Sequence, residues 1–103
     1  MMHAVVGIWT TDVARRDEQR RLLTEEIVPL VCRQPGFVSG FWMDDPETGK
    51  SHTTIIFASR ATAISFRALV ESRTRQDAQA GVTSDILTTV AVVAAAHHPG
   101  GTP

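Results

Sequence analysis

Apolar positions along the chain follow two periods: the two-residue alternation of strands and the spacing of three to four residues of helices. Stretches rich in β-branched and aromatic residues predict strands at 3–10, 37–44, 51–58 and about 84–94. Apolar residues recur at helical spacing over 13–34, and a second helical pattern follows the cap residue Ser59 and stops at Gly81. The predicted order is therefore strand, helix, strand, strand, helix, strand.

This βαββαβ order is that of the ferredoxin-like α+β fold, with a four-stranded antiparallel sheet in the order 4-1-3-2 and both helices on one face. Residues 1–96 are predicted to form this single domain, and 97–103 have the composition of a flexible tail. Pro29 interrupts the first helical pattern, but the apolar stripe continues through Leu30 and Val31. We therefore expect Pro29 to bend that helix without ending it.

Two of the predicted strands are apolar on both faces. Alternation along 37–44 places Phe37, Phe41 and Met43 on one face, and Val38 and Trp42 on the other. The strand at 84–94 is apolar on both faces in the same way. Since the helices cover only one face, we expect a second copy of the chain to cover the other, which predicts a homodimer.

Composition and charge exclude several kinds of partner. The 103 residues carry a formal net charge of −1, with basic and acidic residues interspersed, so no surface for nucleic acid is expected. The sequence has neither an apolar run long enough to span a membrane nor the pattern of a signal peptide, so no membrane partner is expected. The single Cys32 can form no disulfide within the chain and fits a reducing compartment, so the predicted location is cytoplasmic.

Two segments carry a resemblance to a known family: "PGFVSGFW" at 35–42 and "IIFASRATAISF" at 55–66. They resemble the antibiotic biosynthesis monooxygenase-type (ABM-like) dimeric α/β barrels, over about residues 3–95. The resemblance implies a dimer built by face-to-face packing of the sheets. It also implies one of that family's activities, which are cofactor-independent oxygenation of aromatic quinols or anthrones and, in some members, haem degradation. Many members have no known activity.

The residues that this resemblance would assign to haem degradation do not match. Phe66 stands where the haem-degrading relatives have Trp, and Gln76 stands where they have an iron-ligating His. The Asn of their first strand has no counterpart, because the chain contains no Asn. Haem turnover is not expected, since glutamine cannot replace imidazole as an axial ligand. No cofactor and no metal are predicted.

A pocket between the sheet and the helices is predicted to bind a small aromatic ligand. The candidate ligand-binding residues are mostly apolar: Trp9, Trp42, Phe57, Phe66, Leu69 and Arg67. Arg73 is a further arginine available inside the fold. His52 is the candidate catalytic base, because an imidazole exchanges protons near neutral pH. The alternative is that the apolar side chains fill an ordinary core and that His52 lies on the surface.

Two further groups of polar residues are open to two interpretations each. Strands 1 and 3 are expected to run parallel, with strands 2 and 4 against them, so that one sheet edge collects His3, His52, Asp44, His97 and His98. Such a set could bind a divalent metal, or it could consist of residues at fraying chain ends. The basic residues of the first helix are interpreted as its solvated face rather than an anion site: Arg15, Arg16, Arg20 and Arg21.

The sequence thus predicts a cofactor-independent monooxygenase-like protein that acts on, or binds, a small aromatic compound of the quinol or anthrone type. The alternative is a non-catalytic ligand-binding or dimerisation module of the same fold. An isomerase or lyase on this scaffold is a third possibility, because a fold does not determine a function.

Overall fold

The fold is given by a computed structural model that describes residues 1–79 and 81–99, without the side chain of Asp77. Its strands are β1 (His3–Thr11), β2 (Phe37–Asp44), β3 (Lys50–Phe57) and β4 (Val82–Ala91). The predicted tail at 97–103 lies outside the described residues from position 100 onwards. None of the helices in the described ranges has the length and apolarity that a membrane span requires.

The sheet has the strand order β2-β3-β1-β4, with antiparallel pairing between all neighbours. This confirms the predicted ferredoxin-like α+β fold. The expectation that strands 1 and 3 run parallel was wrong: His3 at the start of β1 pairs with Phe57 at the end of β3. The reason is that β3 leaves β2 through a tight turn and inserts between β1 and β2, so it runs against both of them.

The first helical segment is continuous from Val13 to Cys32 but changes its winding. A 3₁₀ turn (Val13–Arg15) leads into α1 (Arg16–Leu22), a π-helical segment (Leu23–Ile27) and α2 (Val28–Cys32). Pro29 lies in the first turn of α2, and the helix continues beyond it, as predicted. The wide turn lies just before the proline, where Val28 N–H donates to the Leu23 carbonyl five residues earlier.

The second helical segment was predicted as one helix but is divided in two. Ser59 caps α3 (Arg60–Ser72), since its hydroxyl accepts a hydrogen bond from Thr62 N–H at 3.2 Å. Arg73 ends α3, and the short helix α4 (Thr74–Gln79) follows. The apolar pattern that predicted the helix ends at Val70, so α4 has little apolar surface with which to pack.

The core is centred on Phe57, whose side chain is fully buried at the end of β3. Its ring lies 5.0 Å from that of Phe66 on α3 and 6.4 Å from that of Phe37 on β2. Val5 and Val31 complete the layer between the sheet and the helices. Burying one such side chain contributes about 1.5–3 kcal/mol, so this cluster fixes α3 on the sheet.

A bulge in β2 changes which residues share a face. The register shifts between Phe37 and Ser39, and Val38 is left half exposed. Phe37 therefore points towards the helices with Trp42, whereas alternation had predicted it beside Phe41. A single extra residue in one strand moves the side chains that precede it to the opposite face of the sheet.

The sheet face without helices, called here the open face, is largely apolar at both edges. Phe41 and Met43 on β2 are 57% and 46% exposed, and Ile86 and Val90 on β4 are 50% and 42% exposed. Between them lie smaller or partly covered side chains of the two central strands. The prediction that strands 2 and 4 present apolar residues away from the helices is therefore confirmed, although Phe37 is not among them.

A hydrogen-bonded ion pair joins three strands and predicts how stability depends on pH. Lys50 Nζ lies 2.6 Å from Asp85 Oδ2, and Thr10 Oγ1 donates to the same oxygen at 2.7 Å. The bond from Lys50, followed by that from Thr10, lowers the pKa of the Asp85 carboxyl below its ordinary value of 3.8. A carboxyl whose pKa is lower in the folded chain stabilises the fold above the unfolded-state pKa and loses this effect as the pH falls through the folded value.

We expect Asp85→Asn to lower the free energy of unfolding at pH 7, and the difference from the unsubstituted protein to shrink once the pH is well below 3.8. Urea unfolding of both proteins at neutral and at strongly acidic pH measures this. A difference of the same size at both pH values would contradict the assignment.

Candidate functional site

A pocket of about 460 Å³ lies between the helix-covered face of the sheet and the helices. Its volume is within the range of about 300–1,000 Å³ that is usual for small-molecule sites. Apolar side chains form most of the lining, with contributions from every strand and from both helical segments: Val5, Trp9, Leu22, Leu23, Ile27, Leu30, Val31, Trp42, Ile55, Phe66, Leu69, Val70, Val82 and Leu87. The space between the sheet and the helices is thus not completely filled by core side chains.

The floor of the pocket depends on two glycines, each two residues before a tryptophan. A Cβ at Gly7 would lie 2.7 Å from Trp9 Nε1, and a Cβ at Gly40 would lie 3.2 Å from the Trp42 ring. Because residues two apart share a face of a strand, each indole can fold back over the bare backbone of its glycine. The Trp9 indole N–H also donates to Thr53 Oγ1 at 3.2 Å, which fixes the ring on the sheet.

The wall opposite the sheet comes from both helical segments. Phe66 and Leu69 lie on α3, and Leu23 and Ile27 belong to the π-helical segment. The wider winding there alters which side chains face the sheet, and such segments occur frequently at functional sites.

Arg73 provides a cation for this apolar pocket. It ends α3 and lines the pocket, and its Nε is buried without a hydrogen-bond partner among the described residues. Arg73 also borders an outer depression that contains Glu18, Glu25 and Glu26. No ion pair within the described residues joins it to these glutamates. A buried unpaired N–H costs free energy, so its presence indicates a donor available to a ligand.

Four polar residues of the lining form what is called here the mouth: Arg16, Arg20, Asp44 and Ser51. The side chains of Arg20 and Asp44 are 65% and 45% exposed, so the pocket meets solvent there. Ser51 Oγ donates to Asp44 Oδ1 at 2.8 Å, and Arg20 Nη2 donates to Asp44 Oδ2 at 3.3 Å. The Ser51 bond is the largest cause, with Arg20 and the charge of Arg16, of a lowered pKa for the Asp44 carboxyl. Asp44 is therefore ionised at neutral pH.

The structure brings together some of the predicted ligand-binding residues. Trp9, Trp42, Phe66 and Leu69 line the pocket, whereas Phe57 lies beneath it in the core. Arg67 is not among the lining residues, and its Nε donates to Glu71 Oε1 at 3.0 Å on the surface of α3. Arg73 takes the place in the pocket that was expected for Arg67.

His52 lies on the other side of the sheet. The β3 residues that line the pocket are Ser51, Thr53 and Ile55, so the alternate residue His52 projects from the open face, where it pairs with Ile8 and Met43. Within one chain it has no access to a ligand in the pocket. Its predicted role as a base stays a prediction.

The proposed gathering of histidines with Asp44 was wrong, because it depended on strands 1 and 3 being parallel. His3 lies beside Phe57 and Ala91 at one end of the sheet, while His52 and Asp44 lie near the other end. The chain leaves β4 at the His3 end, on its way to His97 and His98. No cluster of potential metal ligands occurs within the described residues.

The interpretation of the first-helix arginines as a purely solvated face also needs correction. Arg15 does pair with Glu18 on the surface, at 3.0 Å. Arg16 and Arg20, however, line the pocket at its mouth. The sequence contained signals for this site: the repeated Gly-x-Trp of β1 and β2 marks the floor, and the arginines one helical turn apart mark one side of the mouth.

Comparison with solved structures places the chain in a known fold. It matches a Deinococcus radiodurans protein described as a "putative antibiotic biosynthesis monooxygenase" with a TM-score of 0.73 and 15% identity, over 95% of this chain and 98% of that one. It also matches Rv0793 of Mycobacterium tuberculosis with a TM-score of 0.60 and 18% identity, over 93% of this chain and 99% of that one. Neither protein-family models nor curated proteins give a match. The fold expected from the ABM-like resemblance is confirmed by these structures.

The packing of Trp9 predicts the effect of enlarging Gly7. In Gly7→Ala the new methyl group would meet Trp9 Nε1 and, at 2.9 Å, Thr53 Oγ1, so the indole must move and its hydrogen bond must break. We expect a loss of about 1–3 kcal/mol in the free energy of unfolding, as in other overpacked sites, with a shift in tryptophan emission.

Denaturant unfolding and fluorescence spectra measure both effects. Thr54→Ala, on the opposite face of β3, is the matched control and should leave the emission unchanged. Unaltered emission and stability in Gly7→Ala would show that Trp9 is not held in this way.

Proposed function

We propose that the chain binds a small planar phenol or quinol in the pocket and oxygenates it without a metal or flavin cofactor. The observation that carries the proposal is the buried Nε of Arg73, which has no hydrogen-bond partner among the described residues, beside a pocket lined by Trp9 and Trp42. Aromatic walls favour a planar ring, and an unpaired cation favours an ionised oxygen on that ring. The description of the Deinococcus neighbour is consistent with this class of reaction.

Arg73 would act by stabilising the ionised ligand. A phenolate oxygen would accept the hydrogen bond that Nε lacks, and hydrogen bonds to charged groups contribute about 1.5–3 kcal/mol. A neighbouring positive charge favours the ionised form of an acid, so the pKa of the bound phenol would fall by about 1–3 units. The phenol could then ionise near neutral pH and release its proton to solvent at the mouth.

Ionisation makes an anthrone reactive towards O₂. The anion would transfer one electron to O₂, which gives superoxide and a substrate radical, and the two would combine as a peroxide anion that takes up a proton from solvent. Loss of water from the peroxide yields the quinone, so one oxygen atom of O₂ enters the product and the other leaves as water. The apolar walls would keep bulk water away from these intermediates.

A non-catalytic ligand-binding module is the second candidate, and the chemistry of the mouth favours it. Asp44 is the carboxylate of the described pocket lining, but its lowered pKa and its bonds to Ser51 and Arg20 make it a weak base. His52 lies on the open face. A pocket without an effective base would still bind a phenol through Arg73 and the aromatic walls.

Binding is tested with a hydroxyanthraquinone, whose colour reports its ionisation. We expect the pKa of the bound hydroxyl to be at least about one unit lower than in water, and Arg73→Gln to weaken binding roughly tenfold and remove this shift. Arg67→Gln is the matched control, since Arg67 lies outside the pocket lining on the same helix. An unchanged affinity and an unchanged pKa shift in Arg73→Gln would contradict the role of Arg73.

Oxygen uptake with an anthrone panel separates the two candidates. Uptake above the uncatalysed rate that persists with a chelator and falls in Arg73→Gln would support oxygenation. Uptake at the uncatalysed rate, with ligand binding retained, would support the binding module, and loss of both would overturn the proposal. His52→Ala in the same assay tests the predicted base.

We also propose that two chains associate through their open faces to form a homodimer. Phe41 and Met43 lie on one edge strand and Ile86 and Val90 on the other, and together they expose large apolar side chains on both margins of this face. Pairing two such faces would remove this apolar surface from water without covering the mouth of the pocket, which lies on the helix-covered side.

Sedimentation equilibrium at micromolar concentration should return the mass of two chains. Phe41→Glu should weaken association by roughly two orders of magnitude or more, because burying an unpaired carboxylate costs several kcal/mol. Ile64→Glu, which places the same charge on an exposed apolar position of α3, is the control and should remain dimeric. A monomeric mass for the unsubstituted protein would contradict the proposed homodimer.

A further inference from the structure

The charge of the pocket points to more than one acidic group on the ligand. The charged side chains of the described lining are three arginines and a single carboxylate: Arg16, Arg20, Arg73 and Asp44. Asp44 is already occupied, since one of its oxygens accepts from Ser51 and the other from Arg20. A phenolate on Arg73 would therefore leave the mouth with a positive charge that Asp44 does not neutralise.

Arg16 is the arginine that remains unpaired in this count, since Arg73 would bind the phenolate and Arg20 bonds to Asp44. It is partly buried at the start of α1, and no hydrogen bond or ion pair with another described residue holds its guanidinium. It influences Asp44 only through its charge, which contributes to the lowered pKa of that carboxyl.

The local helix gives no reason for a cation at this position. The first turns of a helix favour acidic side chains, because their free N–H groups carry partial positive charge. Arg16 lies four residues after Asp12, which caps the 3₁₀ turn, and is followed by Asp17 and Glu18, which suit this end of the helix. The arginine opposes the local field and faces the pocket.

We infer that the natural ligand is a hydroxylated aromatic acid, whose carboxylate binds Arg16 at the mouth while its ring lies on the floor formed by Trp9 and Trp42. The inference rests on the proposed function, because it assumes an aromatic ring in the pocket. A guanidinium and a carboxylate are both planar and can form two parallel hydrogen bonds. At the mouth the carboxylate stays partly hydrated, since Arg20 is 65% exposed there, so its desolvation cost is small.

The test compares 2-naphthol with 6-hydroxy-2-naphthoate, which differ only by the carboxylate, using isothermal titration calorimetry. We expect the unsubstituted protein to bind the acid at least roughly tenfold more tightly at low salt, as charge-assisted hydrogen bonds do. The preference should decrease at high salt, because the mouth is open to solvent. Arg16→Gln should bind the two compounds with equal affinity, because it removes the group that distinguishes them.

Two variants serve as controls. Arg16→Lys keeps the charge but loses the planar pair of donors, so it should retain part of the preference. Arg33→Gln removes an exposed arginine outside the pocket lining and should retain all of it. Equal binding of the two compounds by the unsubstituted protein, or a full preference in Arg16→Gln, would overturn the inference and leave aromatic binding intact. Failure to bind either compound would overturn the proposed function as well.

Discussion

Each strand of the sheet places alternate side chains on opposite faces, and the helices of one chain cover only one of them. This constraint organises the molecule. On the covered face, Phe57 anchors α3 to one end of the sheet, and beyond it the side chains no longer meet, which leaves the pocket. On the open face, Phe41 and Ile86 are left in water. The pocket and the apolar surface are consequences of the same alternation, and a one-residue bulge at Val38 decides which side Phe37 joins.

The pocket exists because large side chains are kept close to the sheet. Gly7 and Gly40 provide bare backbone against which Trp9 and Trp42 lie flat, so the two largest side chains of the protein form a floor instead of filling the layer. On the other side, the π-helical segment before Pro29 contributes Leu23 and Ile27 as a wall. The pocket is thus bounded by the two tryptophans on the side of the sheet and by the π-helical segment on the side of the helices.

Sequence reasoning predicted the order of elements well, because caps, turns and apolar periods are local properties. Ser59 caps a helix and Pro29 lies within one as expected. It failed where the answer depended on the relation between distant segments. The direction of β3 relative to β1 decided whether His3 and His52 could meet, and no local pattern contains that information. The choice between Arg67 and Arg73, which lie about 1.7 helical turns apart, depended on where α3 ends above the sheet: Arg67 pairs with Glu71 on the surface, and Arg73 at the helix end lines the pocket.

The polar groups of the site are unevenly distributed, and this affects what the pocket can do. An apolar cavity strengthens the field of any charge at its boundary, because few water dipoles are present to screen it. Arg73 has a donor there that no described residue satisfies, and Arg16 adds a second cation, while the single carboxylate of the described lining is engaged by Arg20 and Ser51. Such a cavity stabilises negative charge, whether it is present on the ligand at binding or develops during a reaction. An oxygenation that proceeds through a substrate anion makes use of this property directly, and so does the simple retention of an aromatic acid.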